Sequence, residues 1–314
     1  MKRRESSDIP LHGDTRTRAA AGKPQHRGDL KMGELVTSLL APGLYVTATP
    51  IGNARDITLR ALDILGAVDL IVAEDTRVTA KLLAIHGISK PLAAYNDHNA
   101  AKERPRLLAR LRDGARIALV SDAGTPLVSD PGFKLVRAAI EEGLAVHAVP
   151  GASAALTGLV LSGLPSDRFL FAGFLPPKPG ERQAALDELK AFRATLIFFE
   201  SGPRLAESLK QMADTLGMRS AAVAREMTKL HEEVRRGTLE DLAHAYANEP
   251  APKGEVTLLV SPPHEAEADL AAIDRALDAA LAFMPLKPAA ELIADLTGAS
   301  RKTIYARGLE KKNG

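Results

Sequence analysis

From Pro42 onwards, short apolar runs alternate with stretches that read as helix. Gly43–Ala48 is the first run, and it ends in the turn Thr49-Pro50-Ile51-Gly52-Asn53, after which Asp56 is placed to cap a helix through about Gly66. The cycle then repeats: strand at Val68–Ala73, helix at Thr76–His86, strand at Leu92–Tyr95, helix at 99–113, strand at Arg116–Val120, helix at 132–142 and strand at Ala145–Val149. Apolar strands of four to six residues alternating with helices predict a parallel sheet covered on both faces.

Near Leu164-Pro165-Ser166-Asp167 the rhythm breaks, and a second α/β set begins. Its strands are expected at Phe169–Phe174, Thr195–Glu200, Ser220–Arg225 and Val256–Val260, with helices at 181–191, 203–216 and 239–247. The remainder is Ala- and Leu-rich, and Lys287–Leu296 and Arg301–Leu309 flank Thr297-Gly298-Ala299-Ser300 as a helix-turn-helix. Residues 1–41 carry neither period and read as a disordered basic extension. The expected fold class is therefore α/β: one α/β domain over 42–165, a second over 166–263, and a helical, helix-turn-helix-like extension over 264–314.

Composition narrows the function classes. The 314 residues include no Cys, which excludes disulfides, thiolate metal sites and cysteine nucleophiles. Aromatics are only 4%, with no Trp, which weakens any reading built on stacked bases. No apolar run is long enough for a bilayer and Met1-Lys2-Arg3-Arg4-Glu5 lacks a secretory apolar stretch, so a soluble, cytoplasmic protein with no membrane partner is expected. The overall charge of +2 hides a net +3 at each end against −4 over residues 43–284, a pattern compatible with an anionic macromolecule held at the periphery or with solubilising tails.

The candidate chemistry sits where a parallel sheet binds ligands, beyond the carboxyl ends of its strands. Three Gly- and Pro-bearing loops fall there: Thr49–Asn53, Ser121-Asp122-Ala123-Gly124-Thr125-Pro126 continuing to Ser129-Asp130-Pro131-Gly132, and Pro150-Gly151-Ala152-Ser153-Ala154. Three such loops at one edge point to a ligand site. Neither G-x-G-x-x-G nor G-x-x-x-x-G-K-[ST] nor G-x-S-x-G occurs, which disfavours a dinucleotide, a triphosphate loop and a serine nucleophile. Glu74-Asp75-Thr76-Arg77 offers a general base, a metal ligand set or an ion pair, and equally a plain helix cap. His98, in Tyr95-Asn96-Asp97-His98-Asn99, and Glu200, in Glu200-Ser201-Gly202-Pro203-Arg204, add further titratable groups. Arg225-Glu226-Met227-Thr228-Lys229 supplies cations for a phosphate backbone or for salt bridges between domains. No spacing indicates a built-in metal.

Taken in order, these loops resemble the tetrapyrrole methylase family of S-adenosylmethionine-dependent methyltransferases, and more closely its RNA-acting branch. The resemblance rests on Thr49–Asn53, Ala73–Arg77, Asp97-His98-Asn99, Ser121–Pro126 with Asp130-Pro131-Gly132, Leu164-Pro165-Ser166-Asp167-Arg168 and Lys253-Gly254-Glu255, and it runs from about Gly43 to the C-terminus. It implies S-adenosylmethionine in a cleft between two α/β domains, a homodimer, and 2′-O-methylation of a ribose, that of cytidine 1402 in 16S ribosomal RNA of the small ribosomal subunit. It implies donor contacts from Pro50, Gly52, Asp122, Ala123, Gly124, Thr125, Ser153, Ala154, Ala224 and Gly254. Glu74, Asp75, His98 and Glu200 are then the candidates for the catalytic base, and Arg77, Arg225, Lys229, Arg301 and Lys302 for RNA contacts. Members acting on tetrapyrroles tend to carry G-D-P where this chain has Ser121-Asp122-Ala123-Gly124. Methylation of a tetrapyrrole, or RNA binding without catalysis, are the competing functions.

Overall fold

The computed structural model describes residues 40–127, 132–263, 270–297 and 299–313. Of the expected basic extension, only the last two residues fall within that set, and Ser129-Asp130-Pro131 lies outside it.

The first sheet comprises β1 (Gly43–Thr47), β2 (Leu70–Ala73), β3 (Leu92–Ala94), β4 (Arg116–Val120) and β5 (Val146–Val149), in the order β3-β2-β4-β1-β5. All four pairings are parallel. Alternation along the strands sorts side chains onto two faces. Leu44, Leu70, Val72, Ile117 and Leu119 pack against helices α3 (Ala100–Arg112) and α4 (Phe133–Glu141). Tyr45, Ile71, Ala73, Ala118 and Val120 meet α1 (Leu59–Ala67) and α2 (Thr76–Ile85) on the other side. One expected boundary changes: Asp56 ends a single 3₁₀ turn, and α1 is capped by Thr58, whose hydroxyl accepts the Ala61 N–H at 3.1 Å.

The second sheet is mixed. Strands β6 (Phe169–Phe174), β7 (Thr195–Ser201), β8 (Ser220–Arg225), β9 (Glu233–Thr238) and β10 (Glu255–Val260) run in the order β6-β7-β10-β8-β9, with only β6 and β7 parallel. Helices α6 (Pro179–Leu189), α7 (Leu205–Leu216) and α8 (Leu239–Ala247) cover one face. The other face is covered by α5 (Ala154–Ser162), which follows the last strand of the first sheet and packs Ala155 and Leu159 onto Ile197, Ala222 and Leu259 of the second. The two sheets are thereby coupled through one helix.

Helices α9 (Leu270–Leu281), α10 (Leu286–Thr297) and α11 (Arg301–Asn313) close around Ile273, Leu277, Ile293 and Ile304. Arg307 and Lys311 of α11 pair with Asp274 and Asp278 of α9 at 2.5 and 2.7 Å. Among the described residues no helix is long and apolar enough to cross a membrane.

Candidate active site

The three loops at the carboxyl edge of the first sheet are tied to one another. Thr49 and Gly124 exchange backbone hydrogen bonds at 2.9 and 3.1 Å, a two-residue antiparallel bridge between the first and second loops. Gly124 holds φ +80°, a conformation that glycine adopts without the cost a side chain would add. The Thr125 hydroxyl donates to the Ala152 carbonyl at 3.0 Å and joins the second loop to the third.

Above them, between the sheets, lies a cleft of about 510 Å³. It is lined by Glu74, Asp122, Ala123, Gly124, Thr125, Ser153 and Ala154 from the first domain, and by Ala224, Arg225, Lys229 and Gly254 from the second. Eleven of the expected site residues therefore share one cavity of a size that suits a small ligand. Phe174, Phe199 and Met227 also line it and were not foreseen. Phe174 and Phe199 stand edge to face at 5.6 Å between ring centres, an apolar wall from the second sheet. Their only sequence signal is their place near the carboxyl ends of β6 and β7.

The carboxylates differ in surroundings. Burial pushes the Glu74 carboxyl above its ordinary 4.5, and the nearby negative charges of Asp122, Asp97, Asp75 and Glu255 push it further in the same direction. Asp75 is instead the N-cap of α2: its carboxylate accepts the Arg77 N–H at 2.8 Å and pairs with the Arg77 guanidinium at 2.6 Å. Those contacts hold its pKa at about 2 instead of 3.8. The Asp75 backbone N–H donates to Asp122 Oδ1 at 3.0 Å and so orients a carboxylate of the cleft.

This difference predicts an acid signature. A carboxyl with a lowered native pKa contributes stability that is complete above its unfolded value and is lost as pH falls through the native one. The Asp75 contribution should accordingly persist at pH 3.8 and disappear as pH approaches about 2. Acid unfolding followed by circular dichroism should show Asp75→Asn less stable than the parent above that window and equal to it below.

Other expected residues lie elsewhere. Pro50 and Gly52 line a smaller pocket on the far side of Asp122. His98 is exposed outside the cleft, and the Arg77 side chain is largely in solvent. Glu200 is fully buried on the face of β7 opposite the cleft, where its carboxylate accepts from the Ser201 N–H at 2.8 Å and the Ser208 hydroxyl at 2.6 Å and sits 3.3 Å from Arg204. Arg225 and Lys229 reach the cleft, but each has an acidic partner, Glu233 and Glu226 respectively. Arg301 and Lys302 begin α11 in the helical extension, with Arg301 paired to Glu291. The loop carrying Lys229 is strained: Glu226 and Thr228 both adopt left-handed φ, 50° and 66°. Across the cleft, the Thr228 hydroxyl accepts the Asn53 N–H at 3.1 Å.

Two linked α/β domains with a ligand cleft at the carboxyl edge of a parallel sheet define the class. The family model for Tetrapyrrole (Corrin/Porphyrin) Methylases matches residues 43–243, and the chain belongs to that family. The C-terminal helices match a second model, the RsmI C-terminal HTH domain, over residues 267–312. Within the family, the chain is 53% identical over 282 residues to ribosomal RNA small subunit methyltransferase I of Mesorhizobium japonicum, covering 89% of this chain and 96% of that protein. It is 47% identical over 272 residues to the protein of that name from Escherichia coli O157:H7, covering 86% and 95%. Among solved structures, uroporphyrin-III C-methyl transferase from Thermus thermophilus complexed with S-adenyl homocysteine superimposes with a TM-score of 0.50 at 19% identity, covering 70% of this chain and 97% of that one.

Proposed function

We propose that the chain methylates the 2′-hydroxyl of a cytidine ribose, cytidine 1402 of 16S ribosomal RNA, in the small ribosomal subunit. The observation that carries this reading is the likeness to ribosomal RNA small subunit methyltransferase I over 89% of the chain, which extends through the C-terminal helices. The methyl donor is S-adenosylmethionine, which supplies an electrophilic methyl on a sulfonium. The cleft residues fit it: Gly124 and Gly254 leave room for close backbone approach, Asp122 and Ser153 offer polar partners, and the Phe174–Phe199 wall offers apolar area.

An in-line displacement gains most of its rate from alignment, so the chain's first task is to hold the acceptor oxygen against the methyl group. The tied loops supply that rigidity. Its second task is to take the ribose proton as the oxygen–carbon bond forms and the carbon–sulfur bond breaks, its electron pair going to sulfur. Glu74 is the group we assign to this, because it lines the cleft and burial among neighbouring carboxylates raises its pKa above the ordinary value. Glu200 and His98 lie outside the cleft, and Asp75 is held by Arg77. Arg77 and the Arg301–Lys302 pair are the exposed cations assigned to RNA, and Arg225 and Lys229 would exchange their acidic partners for phosphates. The working form is a cytoplasmic homodimer.

Incubating the protein with methyl-labelled S-adenosylmethionine and undermethylated small subunits, followed by nuclease mapping, should place label on one cytidine ribose. Donor binding without any label on RNA would overturn the reading, and label on an added tetrapyrrole would replace it.

A further inference from the structure

The smaller pocket beside the cleft holds Pro50 and Gly52, which the family resemblance gave as donor contacts, outside the cavity to which the donor was fitted. It occupies about 160 Å³ between the first loop and α2, with Pro50, Val78, Leu82 and Ile85 as apolar walls, and it shares only Asp122 with the larger cleft. Val78 and Ile85 are 40% and 66% exposed, so its mouth is an apolar rim open to solvent. Thr79, Ser121 and Asp122 also line it.

We propose that this pocket receives the base of the acceptor nucleotide, turned out of its stack, while the ribose lies at Asp122 where the two cavities meet. Three observations converge. The volume suits one six-membered ring, since an apolar cavity of about 150 Å³ accepts benzene. The walls are apolar on the faces and carry Ser121 and Asp122 on the side of the cleft, the pattern that recognises a heteroaromatic ring by packing and by its edge. The shared residue, Asp122, places the pocket directly beside the donor cleft. With a single-ring pocket, selection against purines becomes a matter of fit, and few aromatic side chains are needed to achieve it.

The inference rests on the ribose-methylation reading, and the test separates the two. Single-turnover methylation would be measured on small subunits carrying cytidine or adenosine at the acceptor position, for the parent and Leu82→Ala, with donor affinity and Tm recorded for each. The parent should prefer cytidine by about 100-fold, and Leu82→Ala should narrow that preference about 10-fold by widening the pocket. An active Leu82→Ala variant with the parent's base preference would overturn the inference. Val78→Phe provides a second check, since filling the mouth should weaken RNA use and spare donor binding; unimpaired RNA use would also overturn it. A parent protein that methylates no ribose at all would instead overturn the reading of function.

Discussion

Replacing Glu74 with Gln is expected to lower single-turnover methylation by about 10²–10⁴-fold, the usual contribution of a positioned general base. Gln keeps the shape and loses the ability to accept the proton. Donor affinity should be little changed. The pH profile gives the sharper evidence. Parent activity should rise with pH as the Glu74 carboxyl ionises, and because burial and four neighbouring carboxylates raise its pKa above 4.5, that limb should lie to the alkaline side of an ordinary glutamate. The variant should lack the limb. Stability should move in the opposite direction to activity. A group whose native pKa is raised contributes stability that is complete below its unfolded value and is lost as pH rises through the native one. Above that native pKa the parent carries an unfavourable, half-buried charge, and there Glu74→Gln should have the higher Tm. A variant with unaltered turnover would remove Glu74 from the mechanism.

The second large effect is expected from Gly202→Ala. Gly202 opens the single 3₁₀ turn after β7, and its N–H donates to the Gly254 carbonyl at 2.9 Å. A Cβ at this position would stand 1.7 Å from the Pro252 carbonyl oxygen and 3.2 Å from that of Gly254. Both obstacles are backbone, so no side-chain rotation relieves the overlap. The segment 252–255 has to move, and with it Gly254 and Glu255 on the wall of the cleft. The cost should reach about 3 kcal/mol, the upper range for overpacking. At roughly 2–4 °C per kcal/mol for a protein somewhat smaller than this, Tm should fall by about 6–12 °C. Donor affinity measured by calorimetry should fall as well, which a purely local loss of stability would not produce. An unchanged Tm would show that the lip yields freely.

Most of the fold was legible because buried parallel strands are written as unbroken apolar runs. Leu70–Ala73 and Arg116–Val120 could be read directly for that reason. Two elements were hidden. β9 reads Glu233-Val234-Arg235-Arg236-Gly237-Thr238, where charges on an edge strand mask the pattern. α5 is apolar around its circumference, with Leu156 and Val160 exposed while Ala155 and Leu159 pack on the second sheet, and so it shows no helical period. At the site, the Gly and Pro loops announced themselves, as did Ala224, Arg225, Lys229 and Gly254, whereas the apolar Phe174, Phe199 and Met227 did not. Glu200 illustrates the limit: it stands one residue beyond Phe199, and on a strand that single step transfers a side chain from the cleft to the core. Chemistry-bearing residue types mark a neighbourhood, and strand parity decides which of them enter it.

The strand order β3-β2-β4-β1-β5 also sets a timetable. β1 emerges first from the ribosome, yet both of its neighbours, β4 and β5, are encoded some 70 to 100 residues downstream. At the usual pace of synthesis, its hydrogen-bonding edges wait on the order of ten seconds before either is covered. The bridge between Thr49 and Gly124 waits for β4, and the tie from Thr125 to Ala152 waits for β5, so the nascent chain lacks its three joined loops until β1 has been enclosed from both sides.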